Sequence, residues 1–489
     1  MDKKLVLVTG ATGYIASRLI PELLEQDYRV RCLVRQSLRL KARTWFPYVE
    51  VVRGDVMDPS TLAPAMEGVH TAYYLVHNMS SGHGYTSLEL DGAQNFASVA
   101  EQAGVEHIIY LGGLADPRET IPAHMRSRIE TGEKLRNGKV PVTEFRAGVI
   151  VGPGSISFEM IRFMTELLPV IIGPGWLRNT SQPIAVQNVI DYLLSALDNL
   201  AGQGQVFEIG GPDRMPYADL MLTYGRLRGL HRRLVTLPGI PLWFMAMGVA
   251  MMTPVPASIA RPLVDGLGSD SLVQDETVLR TFPNVNLIGY EEAVNLALGQ
   301  LRPDRLEPAW TDCDRPVKFM KHEGFFIDHN CEKINAPPEK AFQVISAMGG
   351  KNGWFYANWL WTLRGWIDRL FGGPGTRGRS PHPTPSPTGR GTKGEGEKIK
   401  VGDELDYYRV ESLEEGRLLR LYSELKAPGE GWMEWRVEIE DGFTRVSQTG
   451  FFAPHGFWSF AYWIVLSPLH RLVFRGLIKA IVQQSETGS

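Results

Sequence analysis

The sequence predicts an α/β N-terminal part followed by an α+β C-terminal part. Three observations carry that reading. Residues 5 to 16 run as a short apolar strand, a glycine turn and an amphipathic helix. Apolar strand runs recur at Val30 to Val34, Val51 to Val56, Ile108 to Leu111 and Val206 to Ile209. From Lys318 onward the strands turn alternating or aromatic-rich, as in 432–439 and 444–452, and helices divide them. At 489 residues the chain is too long for one core, and about 150 residues per domain gives about three structural units.

The first strand, Leu5 to Val8, enters a turn in which Gly10 permits a tight bend and Gly13 lets the backbone approach a pyrophosphate. Ala16 is small enough for the following helix to press on the strand. The N–H groups and dipole of that helix N-terminus would face the phosphates, so the segment reads as a dinucleotide site. Ile15 and Leu19 continue it at helical spacing.

The second strand selects the dinucleotide. NAD sites usually end it in Asp or Glu to hold the ribose 2′-OH, but here it ends in Arg35, with Arg31 and Arg39 nearby. A guanidinium stays charged and can hold a 2′-phosphate bidentately. The expected cofactor is therefore NADP(H), with NAD(H) as the alternative. The third strand leads to Asp55, placed where an adenine amino group would lie, and Asp58-Pro59 starts a helix.

These residues, with Leu90 to Asn95, Arg146 before Val149 to Gly154, and Pro183 to Val186, resemble the atypical or extended short-chain dehydrogenase/reductase group, over about residues 3 to 300. They are most similar to its NmrA-like and complex-I-subunit-like NAD(P)-binding members. The resemblance implies a Rossmann doubly wound parallel sheet with a substrate-side region at about 151–300. The cofactor would meet Thr9, Gly10, Ala11, Thr12, Gly13, Tyr14, Ile15, Arg35, Asp55, Val56 and Leu75.

Active members of that group carry a Tyr and a Lys four residues apart on a helix and a Ser at the end of the preceding strand. Here the strand ends in Gly112-Gly113, and the helix carries His124 and Arg128 at the same spacing, on one face. An imidazole of ordinary pKa, about 6.5, can donate a proton, and an Arg can hold a nicotinamide ribose. His124 and Arg128 are thus the expected catalytic pair, with Tyr85 or His77 as the next acids.

A net charge of −3 offers no basic surface for nucleic acid. Cys32, Cys313 and Cys331 read as reduced thiols of a cytoplasmic protein, without zinc-ligand spacing, and no metal site is expected. Met1 to Lys4 leads directly into a strand, with no leader. Between Val235 and Ala260 no side chain is charged. Its proline-free stretch, Leu242 to Thr253, would give about 18 Å of helix against the roughly 30 Å of a bilayer core. It reads as a buried or substrate-lining helix, with an interfacial membrane contact as the alternative.

A linker at 301–317 separates residues 1–300 from a second domain at 318–489. There Pro337 to Phe342 resembles the first helix of helix-grip domains of the polyketide-cyclase or START-like kind, and a helix from about Leu469 to Gln484 closes the domain. The fused layout resembles a bacterial family of NAD(P)-binding proteins. Such domains often leave an apolar cavity, but the stripe of Trp354, Trp359, Trp361 and Trp366 reads first as core. The apolar run at 457–466 is expected to stop at Pro468. The segment 372–398, rich in Gly, Pro, Ser and Thr, reads as a disordered insert. Three functions follow: an NADP(H)-dependent oxidoreductase for a small apolar or lipid-like substrate, an NADP(H)-binding sensor or scaffold without turnover, and a membrane-peripheral lipid-binding protein.

Overall fold

Every residue of β1 (Leu5–Thr9) is buried, as a central parallel strand covered on both faces requires. Its alternation feeds two cores. Val6 and Val8 join Cys32, Tyr73, Ile109 and Phe145 on one face. Leu5 and Leu7 join Leu33, Tyr74, Ile108 and Tyr110 on the other. In the computed structural model the described residues are 3–37, 40–77, 85–115, 121–237, 239–253, 257–306, 320–380, 398–440 and 442–487. The chain divides into two units, Met1–Thr311 and Asp312–Ser489.

In the first unit β1 is followed by α1 (Tyr14–Glu25), β2 (Arg29–Val34), β3 (Glu50–Arg53), α2 (Pro59–Met66), β4 (Thr71–Tyr74), α3 (Tyr85–Gln102), β5 (His107–Gly113), α4 (Ala123–Arg136) and β6 (Val142–Ala147). Next come β7 (Ile150–Val151), α5 (Ile156–Leu167), β8 (Val170–Gly173), β9 (Thr180–Ser181), β10 (Ile184–Ala185), α6 (Val186–Ser195) and β11 (Val206–Ile209). The unit closes with β12 (Met215–Pro216), α7 (Tyr217–Leu227), β13 (Arg233–Thr236), α8 (Leu242–Met252), α9 (Ala257–Gly266), α10 (Thr277–Thr281) and α11 (Tyr290–Gly299). Seven parallel strands form one sheet in the order β11-β6-β5-β4-β1-β2-β3. This is the Rossmann-like, doubly wound order, and its winding reverses between β1 and β4, where such sheets open a crevice. Helices α1 and α6 cover one face, and α2 and α3 cover the other.

Within the apolar run at 235–260, α8 is buried on one side rather than throughout. Among its described side chains Ala246 and Val249 are in the core and Met245 packs against it, while Trp243 is 60% exposed, Phe244 51% and Met247 47%. Among the described residues no helix is long and apolar enough to cross a membrane.

The second unit is an antiparallel sheet with helices. Its elements are β14 (Met320–His322), β15 (Phe325–Ile334), α12 (Pro338–Ser346), α13 (Asn358–Leu370), β16 (Arg379–Ser380), β17 (Glu404–Leu405), β18 (Tyr408–Glu414), β19 (Leu418–Ser423), β20 (Glu430–Glu440), β21 (Phe443–Ala453) and α14 (Phe457–Thr487). The strand order is β14-β15-β21-β20-β19-β18-β17-β16. Four expectations are corrected here. Pro468 does not stop the last helix, which runs 31 residues. Proline leaves the Ile464 carbonyl without its usual amide, and the Ser467 hydroxyl donates to that carbonyl at 3.3 Å instead. The expected insert begins later than 372: Arg377 pairs with Glu404 at 2.7 Å and with Glu424, and β16 joins the sheet. Residues 381–397 lie outside the described residues. The tryptophan stripe divides, with Trp354 and Trp361 buried and stacked at 4.6 Å while Trp359 and Trp366 are exposed. Cys331 is disulfide-bonded rather than reduced. Cys32 is free and buried, and Cys313 lies outside the described residues.

Candidate functional site

The glycine turn stands at the crevice between β1 and β4. Gly10 has φ +65°, and a Cβ there would lie 2.5 Å from the Leu75 carbonyl oxygen, so no other residue fits without moving β4's extension. Gly13 differs. Its φ of −83° suits any residue, and a Cβ would meet only the Gly10 oxygen, at 3.0 Å. Gly13 caps α1 without a side-chain hydrogen bond, and the first turn of α1 carries no acid. Thr12 and Gly13 are exposed, Tyr14, Ile15 and Leu75 are half-buried, and Ala11 is buried. The result is an accessible helix N-terminus whose amides can receive an anion.

Thr9 has another task. It is buried, and its hydroxyl donates to the Tyr73 carbonyl at 2.9 Å and accepts from the Leu75 amide at 3.0 Å, which staples β1 to β4. Tyr14 lies under the Arg18 guanidinium, 4.0 Å from its ring centre, and Arg18 donates to the Pro153 carbonyl at 2.7 Å. Arg35 follows β2, whose Leu33 is in register with Thr9, so it stands beside the glycine turn. It is exposed and makes no hydrogen bond or ion pair among the described residues. Arg31 instead pairs with Glu50 at 2.8 Å, and Arg39 lies outside the described residues. Asp55 is half-buried and accepts from the Met57 amide at 3.0 Å, and Val56 is buried against α3 near Gly92.

The expected catalytic pair lies on α4, but in different company from that foreseen. His124 is 4% exposed and Gly266 of α9 stands against its ring. Burial, then Arg128 and His77, depress its pKa to about 4, so it is neutral at pH 7. That corrects the expectation of an imidazole titrating near neutrality. Arg128 Nη2 donates to His77 Nε2 at 2.9 Å, and His77 Nδ1 lies 2.8 Å from Glu89 Oε1. Burial and Arg128 lower the His77 pKa against the opposing pull of Glu89. A neutral His77 that accepts at Nε2 must carry its proton on Nδ1 and donate to Glu89. Ser127 donates to the other Glu89 oxygen, and the Tyr110 hydroxyl donates to the Arg128 carbonyl at 2.9 Å.

Helix α4 sits so near the end of β5 that a Cβ on Gly113 would lie 2.7 Å from Met125 Cε and 3.0 Å from Arg128 Cδ. A serine at Gly113 would crowd that helix. Glu89 and Ser127 were missed in the sequence. Their signal is weak, because one of three acids on α3 and a lone serine on α4 reveal nothing until His77 joins them. The Tyr85 side chain and segments 78–84 and 116–120, which flank the cluster in sequence, lie outside what is described. Among the described residues no group of three metal-ligating side chains occurs.

Residues 2–151 match the NmrA-like family, and residues 324–477 match a family described as Protein of unknown function (DUF2867). The chain is 25% identical over 241 residues to the Photosystem II assembly factor Ycf39 of Cyanophora paradoxa, covering 48% of this chain and 71% of that one. It is 28% identical over 136 residues to a 3 beta-hydroxysteroid dehydrogenase/Delta 5-->4-isomerase of Mycobacterium tuberculosis, covering 24% of this chain and 36% of that one. The match thus spans only about a third of the second relative's length. The crystal structure of the Citrobacter sp. triphenylmethane reductase complexed with NADP(H) aligns with a TM-score of 0.50 at 19% identity, over 60% of this chain and 99% of that one, and shows the shared fold. The chain joins an NmrA-like domain of Rossmann type to a C-terminal domain of unassigned function.

Proposed function

We propose that the N-terminal unit is an NADP(H)-dependent oxidoreductase of the atypical short-chain dehydrogenase/reductase type that acts on a small apolar or lipid-like molecule. The observation that carries it is the exposed glycine turn at the sheet's switch point with a free Arg35 beside it. The bound nicotinamide would supply or take the hydride. Thr12, Gly13 and the first amides of α1 hold the pyrophosphate, and Arg35 holds the 2′-phosphate. Arg128, fixed by His77 and Glu89, anchors the nicotinamide ribose. His124 offers an N–H hydrogen bond rather than a charged acid. Similarity to a 3 beta-hydroxysteroid dehydrogenase/Delta 5-->4-isomerase supports an apolar substrate.

Fluorescence titration of the full chain with NADPH and NADH tests the reading. One charge-assisted contact predicts a preference for NADPH of about 10- to 100-fold, reversed or erased in Arg35→Glu. Equal affinities in the wild type would contradict it. The absence of Ser and Tyr from the acid positions favours a second reading, an NADP(H)-binding sensor. Slow NADPH oxidation with apolar carbonyl compounds separates the two. The outward Trp243, Phe244 and Met247 of α8 support a peripheral membrane contact, which cosedimentation with phosphatidylcholine vesicles checks.

A further inference from the structure

We propose that the C-terminal unit binds a small amphiphile, an apolar chain ending in one carboxylate, in a cavity of about 500 Å³ enclosed by α13, α14 and strands β18 to β21, with Arg364 holding the head group. The volume is that of a small-molecule site rather than a packing defect. Its walls are chiefly apolar, with Leu360, Met433, Phe452, Leu466 and Val473 among them.

The polar exception is a cluster of donors. Arg364 Nη1 donates to His470 Nε2 at 2.8 Å, and Nη2 donates to the Tyr462 hydroxyl oxygen. Neither acceptor is a carboxylate, and among the described residues no carboxylate pairs with this guanidinium. Asp368, one turn along α13, also lines the cavity, but its oxygens accept the Gly375 and Lys426 amides at 2.9 and 2.7 Å. Because His470 accepts at Nε2, its proton is on Nδ1, which is buried without a hydrogen-bond partner among the described residues. A cation and an N–H donor thus face one another's surroundings with too few acceptors, inside a low-dielectric wall where an uncompensated charge is costly. A carboxylate supplies both missing features, a negative charge and planar acceptors that suit the guanidinium fork. Leu363, Ile367, Phe371 and Leu469 of the lining are each at least 40% exposed, which gives the apolar chain a way in.

The test is calorimetric titration of the full chain with dodecanoate below its micellar concentration, and with dodecan-1-ol as the neutral counterpart. One dodecanoate per chain should bind, about 10- to 100-fold more tightly than the alcohol. Arg364→Met should remove that advantage and leave alcohol binding within about threefold, while Arg364→Lys should keep part of it. Gly431→Leu, at a lining position where a Cβ meets nothing nearer than 3.6 Å, should fill the cavity and weaken both ligands. Equal affinity for the two ligands, or dodecanoate binding unchanged in Arg364→Met or Gly431→Leu, would overturn the proposal. If Arg364→Met fails to fold, the acid-to-alcohol ratio of the wild type decides alone.

Discussion

Each unit pairs an arginine with a histidine, and the two pairs differ in what stands behind the histidine. In the N-terminal unit Arg128 reaches His77 at 2.9 Å, and the other imidazole nitrogen reaches the Glu89 carboxylate at 2.8 Å. In the C-terminal unit Arg364 reaches His470 at 2.8 Å, and the other nitrogen has no hydrogen-bond partner among the described residues. The first cluster is balanced, with the negative charge one imidazole away from the positive one. The second has a cation that no acid pairs with among the described residues, since the Asp368 oxygens are taken by backbone amides. A balanced cluster holds its members in place, which suits residues that position a cofactor. An unbalanced one inside an apolar cavity is suited to a ligand that brings the charge.

Removing charge from each cluster sharpens this contrast most strongly. Glu89→Leu removes the buried acceptor of the His77 and Ser127 hydrogen bonds and should destabilise the N-terminal unit by about 1 to 3 kcal/mol in urea titration. Arg364→Met removes a cation that had no paired acid, so the ligand-free C-terminal unit should change by under about 1 kcal/mol. Similar losses in the two variants would erase the distinction.

A smaller effect comes from pH. Burial and then Arg364 push His470 down to about 3 from an ordinary 6.5. The unfolded chain therefore binds the proton first as pH falls, so this stability is present above about pH 6.5 and is lost progressively toward pH 3. Between pH 7 and 5 the loss should be about 2 kcal/mol. His470→Gln, which can still accept from Arg364 but does not titrate, should flatten that part of the urea-stability profile. An unaltered profile would place the pH dependence elsewhere, with His329, also pushed to about 3, as the nearest source.

The glycine turn was legible because all its parts lie within twelve or so consecutive residues and its function is carried by backbone. The doubly wound parallel sheet, though not its strand order, followed from the resemblance that this segment helps to carry. What stayed hidden was assembled from distant positions. Arg364 and His470 are 106 residues apart, and nothing in either neighbourhood announces the pairing. Arg377 looked like part of a glycine-rich insert because Glu404 and Glu424 lie beyond it in the chain. Pro468 looked like a helix stop because the repair by Ser467 depends on a side-chain rotamer rather than on composition. The α8 segment looked buried because hydropathy does not say which face meets the core, and here the large side chains turn outward. His124 was read as an acid from its residue type, whereas its pKa is set by the burial that folding imposes.

The central claim is that the exposed glycine turn holds the pyrophosphate of NADP(H), and Gly13→Val tests it most directly. Gly10 could not serve, since its φ of +65° and the 2.5 Å approach to Leu75 would confuse lost binding with lost folding. Gly13 has an ordinary φ of −83°, so a branched side chain there requires only that the Gly10 oxygen, 3.0 Å from the added Cβ, give slightly, and it occupies the space in front of α1. In an NADPH fluorescence titration of the full chain, the wild type should bind, and Gly13→Val should bind at least about 100-fold more weakly while still unfolding in a cooperative thermal transition. NADPH affinity in Gly13→Val equal to that of the wild type would contradict the account.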